Sequence, residues 1–234
     1  MTLQNTPRPE WLTFDCYGTL IQWDEGLKAV VADILRDKGE HAVDVDRLIQ
    51  VYDRHEHRLE QIPPYRPFRE LSTQGLQLAL EELGLTSDPQ DSQRLASAIP
   101  RMPPFREVIA TLAQLKAMGF KLCIVSNTDD EIIAGNVAQL GGHIDRVITA
   151  QQAGAYKPDP RLFDYAHQQL GVTREQVVHI CASPMLDHTA ARDMHFRCVW
   201  IDRGTGRQLL PDYRPDAMFN TLDQVVPLFK SLGW

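Results

Sequence analysis

Four short stretches hold the side chains with which chemistry could be done. In "WLTFDCYGTLIQW" an apolar run ends on Asp15 and is followed at once by Cys16, Tyr17, Gly18 and Thr19. "VSNTDD" places Ser126 and Asn127 at the end of a second run, "AYKPDPRLF" sets Lys157 ahead of a helix-like segment, and "CASPMLDHTAARDMHF" puts Asp187 after a third run. A carboxylate that closes a buried-looking strand needs a partner or a task, because an isolated buried charge is costly. An ammonium beside Asp15 would keep it ionised and help neutralise a transition state, which gives Lys157 a physical role. Ser126 and Asn127 could hold a carboxylate or phosphate oxygen through hydroxyl, amide and backbone N–H groups. Each residue also has a plainer reading. Asp15 could cap a turn with Gly18 and Thr19, Ser126, Asn127 or Asp187 could cap a helix, and Lys157 could be solvated.

These residues act together only if the chain gathers them. "KLCIVSN", "DRVITA", "QVVHICAS" and "FRCVWID" are short, near-continuous apolar runs, the pattern of strands covered on both faces. Helix-like segments separate them at residues 105–119, 129–142, 159–171 and 187–195, several closing on glycine. The alternation predicts an α/β fold with a doubly wound, Rossmann-like parallel sheet and "WLTFD" near its centre. Asp15, Ser126 with Asn127, and Ser183 to Asp187 then meet at the rim where such sheets bind ligands. Residues 22–104 lack strand-like runs and show helical periodicity in three segments, so an inserted α-helical cap domain is expected there, with residues 1–21 and 105–234 forming the core domain. The proline-bearing stretches "QIPPYRPF" and "IPRMPPF" read as turns or hinges.

Composition narrows the class of partner. The 234 residues carry a net charge of −7 and no long basic run, which argues against nucleic acid or an anionic membrane surface and for a small-molecule substrate. No apolar stretch approaches the roughly 20 residues that span a bilayer, and the start has no signal-peptide succession, so a cytoplasmic protein is expected. Cys16, Cys123, Cys181 and Cys198 are dispersed without CxxC spacing and read as buried free thiols. His179 and Cys181 read as core, and His188 as exposed.

In their order along the chain, "FDCYGTL", "VSNTDD", "AYKPDPRLF" and "CASPMLDHTAARDMHF" resemble the motifs of the haloacid dehalogenase (HAD) superfamily over nearly the whole sequence. The resemblance implies that Asp15 is a nucleophile, forming an ester or acyl phosphate that water then hydrolyses. It further implies that Thr19 supports the nucleophile loop, Ser126 and Asn127 bind the substrate acid, Lys157 balances charge, and Asp187 orients Lys157 or serves the hydrolytic step.

HAD phosphatases carry a second Asp two places after the nucleophile, as general acid, and a further acid in the fourth motif to hold Mg²⁺. Here those places are Tyr17 and Ala182. The "D-x-YGT" form is similar instead to type II L-2-haloacid dehalogenases, which use no metal and displace halide from a short 2-haloacid. The sequence departs from that group at Ala182, Pro184 and Phe163, the last standing where the family has an active-site tyrosine and counted here with Tyr17 among the substrate-binding residues. For the halide-cradling arginine of the cap, Arg58 and Arg66 are the candidates, with Tyr65 and Phe68 as pocket walls. Two alternatives stay open. One is a Mg²⁺-dependent phosphatase with metal held by Asp15, the Tyr17 carbonyl and Asp187; the other is a HAD-fold protein that binds a small acid without turnover. The resemblance also suggests a homodimer.

Overall fold

Trp11–Phe14 (β1), Lys121–Ser126 (β2), Arg146–Thr149 (β3), Val177–Cys181 (β4), Arg197–Ile201 (β5) and Ala217–Phe219 (β6) form one sheet in the order β3-β2-β1-β4-β5-β6. Every neighbouring pair is parallel. This computed structural model describes residues 3–4 and 6–234. Alternation along the strands divides the core between the two faces of the sheet: Leu12, Phe14, Ile124 and Ile180 are buried on one, Trp11, Cys123, Val125 and Cys181 on the other. The order reverses direction between β1 and β4, so the chain leaves β1 and β4 on opposite sides and opens a crevice at their carboxyl ends. All four cysteines are buried and free.

Four helices lie between β1 and β2: Trp23–Asp37 (α1), Val45–Glu60 (α2), Phe68–Glu82 (α3) and Pro89–Ala98 (α4). They bury Leu27, Ile34, Tyr52, Leu71 and Leu80 among themselves. At Gly75 of α3 an added Cβ would stand 3.3 Å from the Glu56 Cα, so the missing side chain lets α3 press against α2 at that residue. The remaining helices are Val108–Ala117 (α5), Asp130–Val137 (α6), Ala150–Ala153 (α7), Pro160–Leu170 (α8), Thr189–Met194 (α9) and Val225–Ser231 (α10). Among the described residues no helix is long and apolar enough to cross a membrane.

The segment expected as one helix at residues 187–195 is a π-turn, Pro184–His188, followed by the short α9. Asp187 and His188 of that wider turn are both buried. His188, expected to be exposed, is fully buried against Trp200 and Tyr213.

Candidate active site

Asp15 follows β1 directly and keeps one more rung of the sheet, its N–H donating to the Ile180 carbonyl at 3.0 Å. The chain then turns back on itself: the Leu20 and Ile21 N–H groups both donate to the Cys16 carbonyl, and Gly18 takes a φ of +80° that a side chain would strain. The turn brings the Thr19 hydroxyl onto Asp15 Oδ2 at 2.7 Å. On the other side, Lys157 Nζ donates to Asp15 Oδ1 at 3.0 Å and reaches Asp187 Oδ1 at 2.8 Å. The arrangement continues inward, with His179 Nε2 3.0 Å from Asp187 Oδ1 and His179 Nδ1 2.9 Å from the Thr13 hydroxyl. Since an ionised carboxylate only accepts, Nε2 donates to Asp187.

Charge explains this packing. Burial disfavours an ionised Asp187, but Lys157 and the His179 hydrogen bond more than offset it and hold the acid at about 2. For Lys157 burial likewise opposes the charge, and Asp15 with Asp187 overcomes it, raising the ammonium above its ordinary value. Asp15 is raised, first by burial and further by Asp187, against the pull of Lys157 and Thr19. The floor of the site is therefore an ammonium clamped between two carboxylates, one of which, Asp15, faces the cleft.

That cleft, about 670 Å³ including the part open to solvent, lies between the carboxyl ends of the strands and α2. Tyr17 and Trp23 form one wall with ring centroids 5.0 Å apart, and the Tyr17 hydroxyl is committed to Asn136 Oδ1 at 2.9 Å. Ser126 also lines the cleft, and its buried hydroxyl has no hydrogen-bond partner among the described residues. Asn127 lines it too, but its amide is engaged: Oδ1 accepts from the Lys157 N–H at 2.7 Å and Nδ2 donates to Glu60 Oε2 at 3.1 Å. It steadies the lysine loop against α2. Phe68 forms part of the lining, whereas Tyr65 stacks on Tyr156.

Three expected substrate contacts lie elsewhere. Arg58 is exposed, because Asp53, Glu56, His57 and Glu60 form the face of α2 that lines the cleft and residue 58 falls beside that stripe. Arg66 donates to Gln74 Oε1 at 2.9 Å, pinning the start of α3 rather than reaching the cleft. Phe163 is buried behind the site, its ring edge-on to His179 and 5.8 Å from Lys157 Nζ, so it packs the floor and touches no cleft surface.

The cation that does line the cleft is Arg207, in the loop after β5, paired through both terminal nitrogens with Asp24 at 3.1 Å. Its signal was the rim rule applied once more: "RGTGR" follows the strand-like "FRCVWID". The acids of α2 were masked by an amphipathic pattern that reads as a solvated face.

Two groups of three side chains bring potential metal-ligating atoms within 4.8 Å of one another, Cys181 with His188 and Cys198, and His179 with Cys181 and Asp187. All five residues are buried. The Mg²⁺ set of the phosphatase alternative does not fit: Lys157 already stands between Asp15 and Asp187, and position 182 offers a carbonyl that accepts the Trp200 indole N–H.

Comparison with known proteins agrees with this geometry. The family model described as "haloacid dehalogenase-like hydrolase" matches residues 10–193. An (S)-2-haloacid dehalogenase of Pseudomonas sp. (strain YL) is 31% identical over 71% of this chain and 72% of its own length. A phosphoserine phosphatase of Thermus thermophilus is 33% identical over 68% of this chain and 64% of its own. In fold, the chain is similar to the L-2-haloacid dehalogenase from Xanthobacter autotrophicus solved with chloropropionic acid covalently bound, with a TM-score of 0.80 at 20% identity over 95% and 98% of the two chains. With a carboxylate closing a strand at the switch point and a family match over most of its length, the chain belongs to the haloacid dehalogenase-like hydrolases.

Proposed function

We propose that the protein removes halide hydrolytically from a small 2-haloacid, with Asp15 as nucleophile. The observation behind this is the Lys157 ammonium seated between Asp15 and Asp187, which stabilises a carboxylate at the cleft floor without a metal ion. An Asp15 oxygen attacks the halogen-bearing carbon, halide departs with the bond electrons, and an aspartyl ester forms. A halide needs no proton to leave, so the Tyr17 hydroxyl can stay bound to Asn136 throughout. Water then attacks the Asp15 carbonyl carbon, releasing the 2-hydroxyacid, regenerating the carboxylate and delivering one proton to solvent.

In this reading the unpartnered Ser126 hydroxyl receives the substrate, Asp187 fixes Lys157, and the helical insert α1–α4 acts as a cap that excludes water during displacement. The test is halide and 2-hydroxyacid release from chloro-, bromo- and fluoroacids in EDTA. Wild type should turn over and Asp15→Asn should not. Absence of halide release, with phosphate released from monoesters only when Mg²⁺ is supplied, would replace this reading with the phosphatase.

A further inference from the structure

The α2 wall of the cleft carries a set of carboxyls that an acid substrate alone does not explain. Asp53, Glu56 and Glu60 of α2 project from one face, at i, i+3 and i+7, into the same space as Asp15. Glu56 and Glu60 are buried and Asp53 is half-buried. Among the described residues none of the three has a lysine or arginine within ion-pair distance: Arg207 is taken by Asp24 and Lys157 by Asp15 and Asp187. Glu56 and Glu60 hydrogen-bond to each other, and their other polar neighbours are His57, 3.5 Å from Glu56, and Asn127, which donates to Glu60. Burial drives the His57 imidazole toward its neutral form, so it does not supply the missing charge. The consequence appears in the carboxyls themselves: burial pushes Asp53 up to about 7 and Glu56 up to about 8. Burial leads in both, and the Arg207 charge offsets it only in part at Asp53.

We propose that the molecule this cleft takes carries a protonated amine, seated among Asp53, Glu56 and Glu60, at the end remote from the carbon that Asp15 attacks. The reaction at Asp15 rests on the function proposed above; the amine preference rests on the wall. A second feature of the same cleft points to a ligand independently: Ser126 Oγ is fully buried, lines the cleft and has no partner among the described residues. A guest spanning the space would meet that hydroxyl at the core end and the acids at the α2 end. A metal ion is the poorer occupant, because the three carboxyls are not among the groups whose ligand atoms converge within 4.8 Å. An alkylammonium has a length of chain and three N–H donors to distribute among spread-out acceptors.

Turnover and binding separate this inference from the one beneath it. Three bromoacids of equal chain length, 6-amino-2-bromohexanoate, 2-bromohexanoate and 2-bromohexanedioate, are compared by halide release. Calorimetry measures butylammonium, butanol and butyrate, which cannot react. The expected order of kcat/KM is amine over neutral over second carboxylate, with the first step roughly tenfold or more, the scale of one charge-assisted hydrogen bond. Asp53→Asn and Glu56→Gln should raise KM for the aminobromoacid and bring the amine-to-neutral ratio toward one. Butylammonium should bind and butyrate should not. If no bromoacid reacts but butylammonium binds at a site weakened by Glu56→Gln, the dehalogenase reading fails and the amine preference stands. If the neutral or dianionic bromoacid is preferred, or butanol binds as well as butylammonium, the amine preference is wrong.

Discussion

Asp187 touches no cleft surface, yet its charge bears directly on Asp15, which does. Its negative charge adds to burial in raising Asp15, and the two acids share one ammonium. Replacing Asp187 with Asn removes that repulsion and leaves Lys157 to Asp15 alone. Asp15 should then ionise at lower pH, and the acid limb of kcat/KM should move down by a measurable fraction of a unit. An unchanged limb in Asp187→Asn would mean that the two carboxyls are electrostatically independent. The same substitution breaks a buried ion network, so a stability loss on the order of 3 kcal/mol is expected in urea unfolding. Asp15, Lys157 and Asp187 were legible because each stands at a strand end or ahead of a helix in a fixed order. Arg58 was misplaced because periodicity gives the stripe of a helix but not which stripe faces the cleft, and Arg66 lies between α2 and α3 where no period exists to place it. His179 is plain core by pattern, and only its 3.0 Å contact with Asp187 gives it a task.

At the scale of the element, the start of α3 is held from outside its own segment. Pro67 stands at its N-cap and supplies no side-chain bond, yet the first two helical N–H groups, of Phe68 and Arg69, both donate to the Asp129 carboxylate at 2.9 Å. A core residue thus caps a helix of the insert and fixes Phe68, which lines the cleft. Asp129→Ala should cost about 1 kcal/mol, and should raise KM more than it lowers kcat as Phe68 loses its position. A stability loss with KM unchanged would show that the clasp is structural only. Such a cap, 61 residues from its helix, leaves no local trace in sequence. By contrast, α4 had a readable one, Asp88 and Asp91 forming a capping box around Pro89. The strand β6 escaped for another reason: "AMF" is three residues on a sheet edge, too short for any period to register.

For the whole molecule, the acids of the cleft wall make stability depend on pH in an unusual direction. A carboxyl whose folded value lies above its unfolded value binds its proton more tightly in the folded state, so unfolding releases it and stability falls as pH rises. For Asp53 and Glu56 that fall begins near the ordinary carboxylate range and is complete once pH passes about 7 and about 8. Asp187 works oppositely: held at about 2, its contribution is present above its unfolded value near 3.8 and is lost as pH drops toward 2. The two effects oppose each other, the wall acids favouring the folded state at acid pH and Asp187 favouring it above its unfolded value. Glu56→Gln removes the titration with little change of shape, while Gly75 keeps α3 close against the same point. The Gln variant should therefore flatten the decline in Tm between about pH 5 and about pH 9 and melt a few degrees above wild type at the alkaline end, given roughly 2–4 °C per kcal/mol for a chain of this size. Equal slopes for the two proteins would show that Glu56 is solvated and ordinary in the folded state, and that the cleft wall carries no unmet charge.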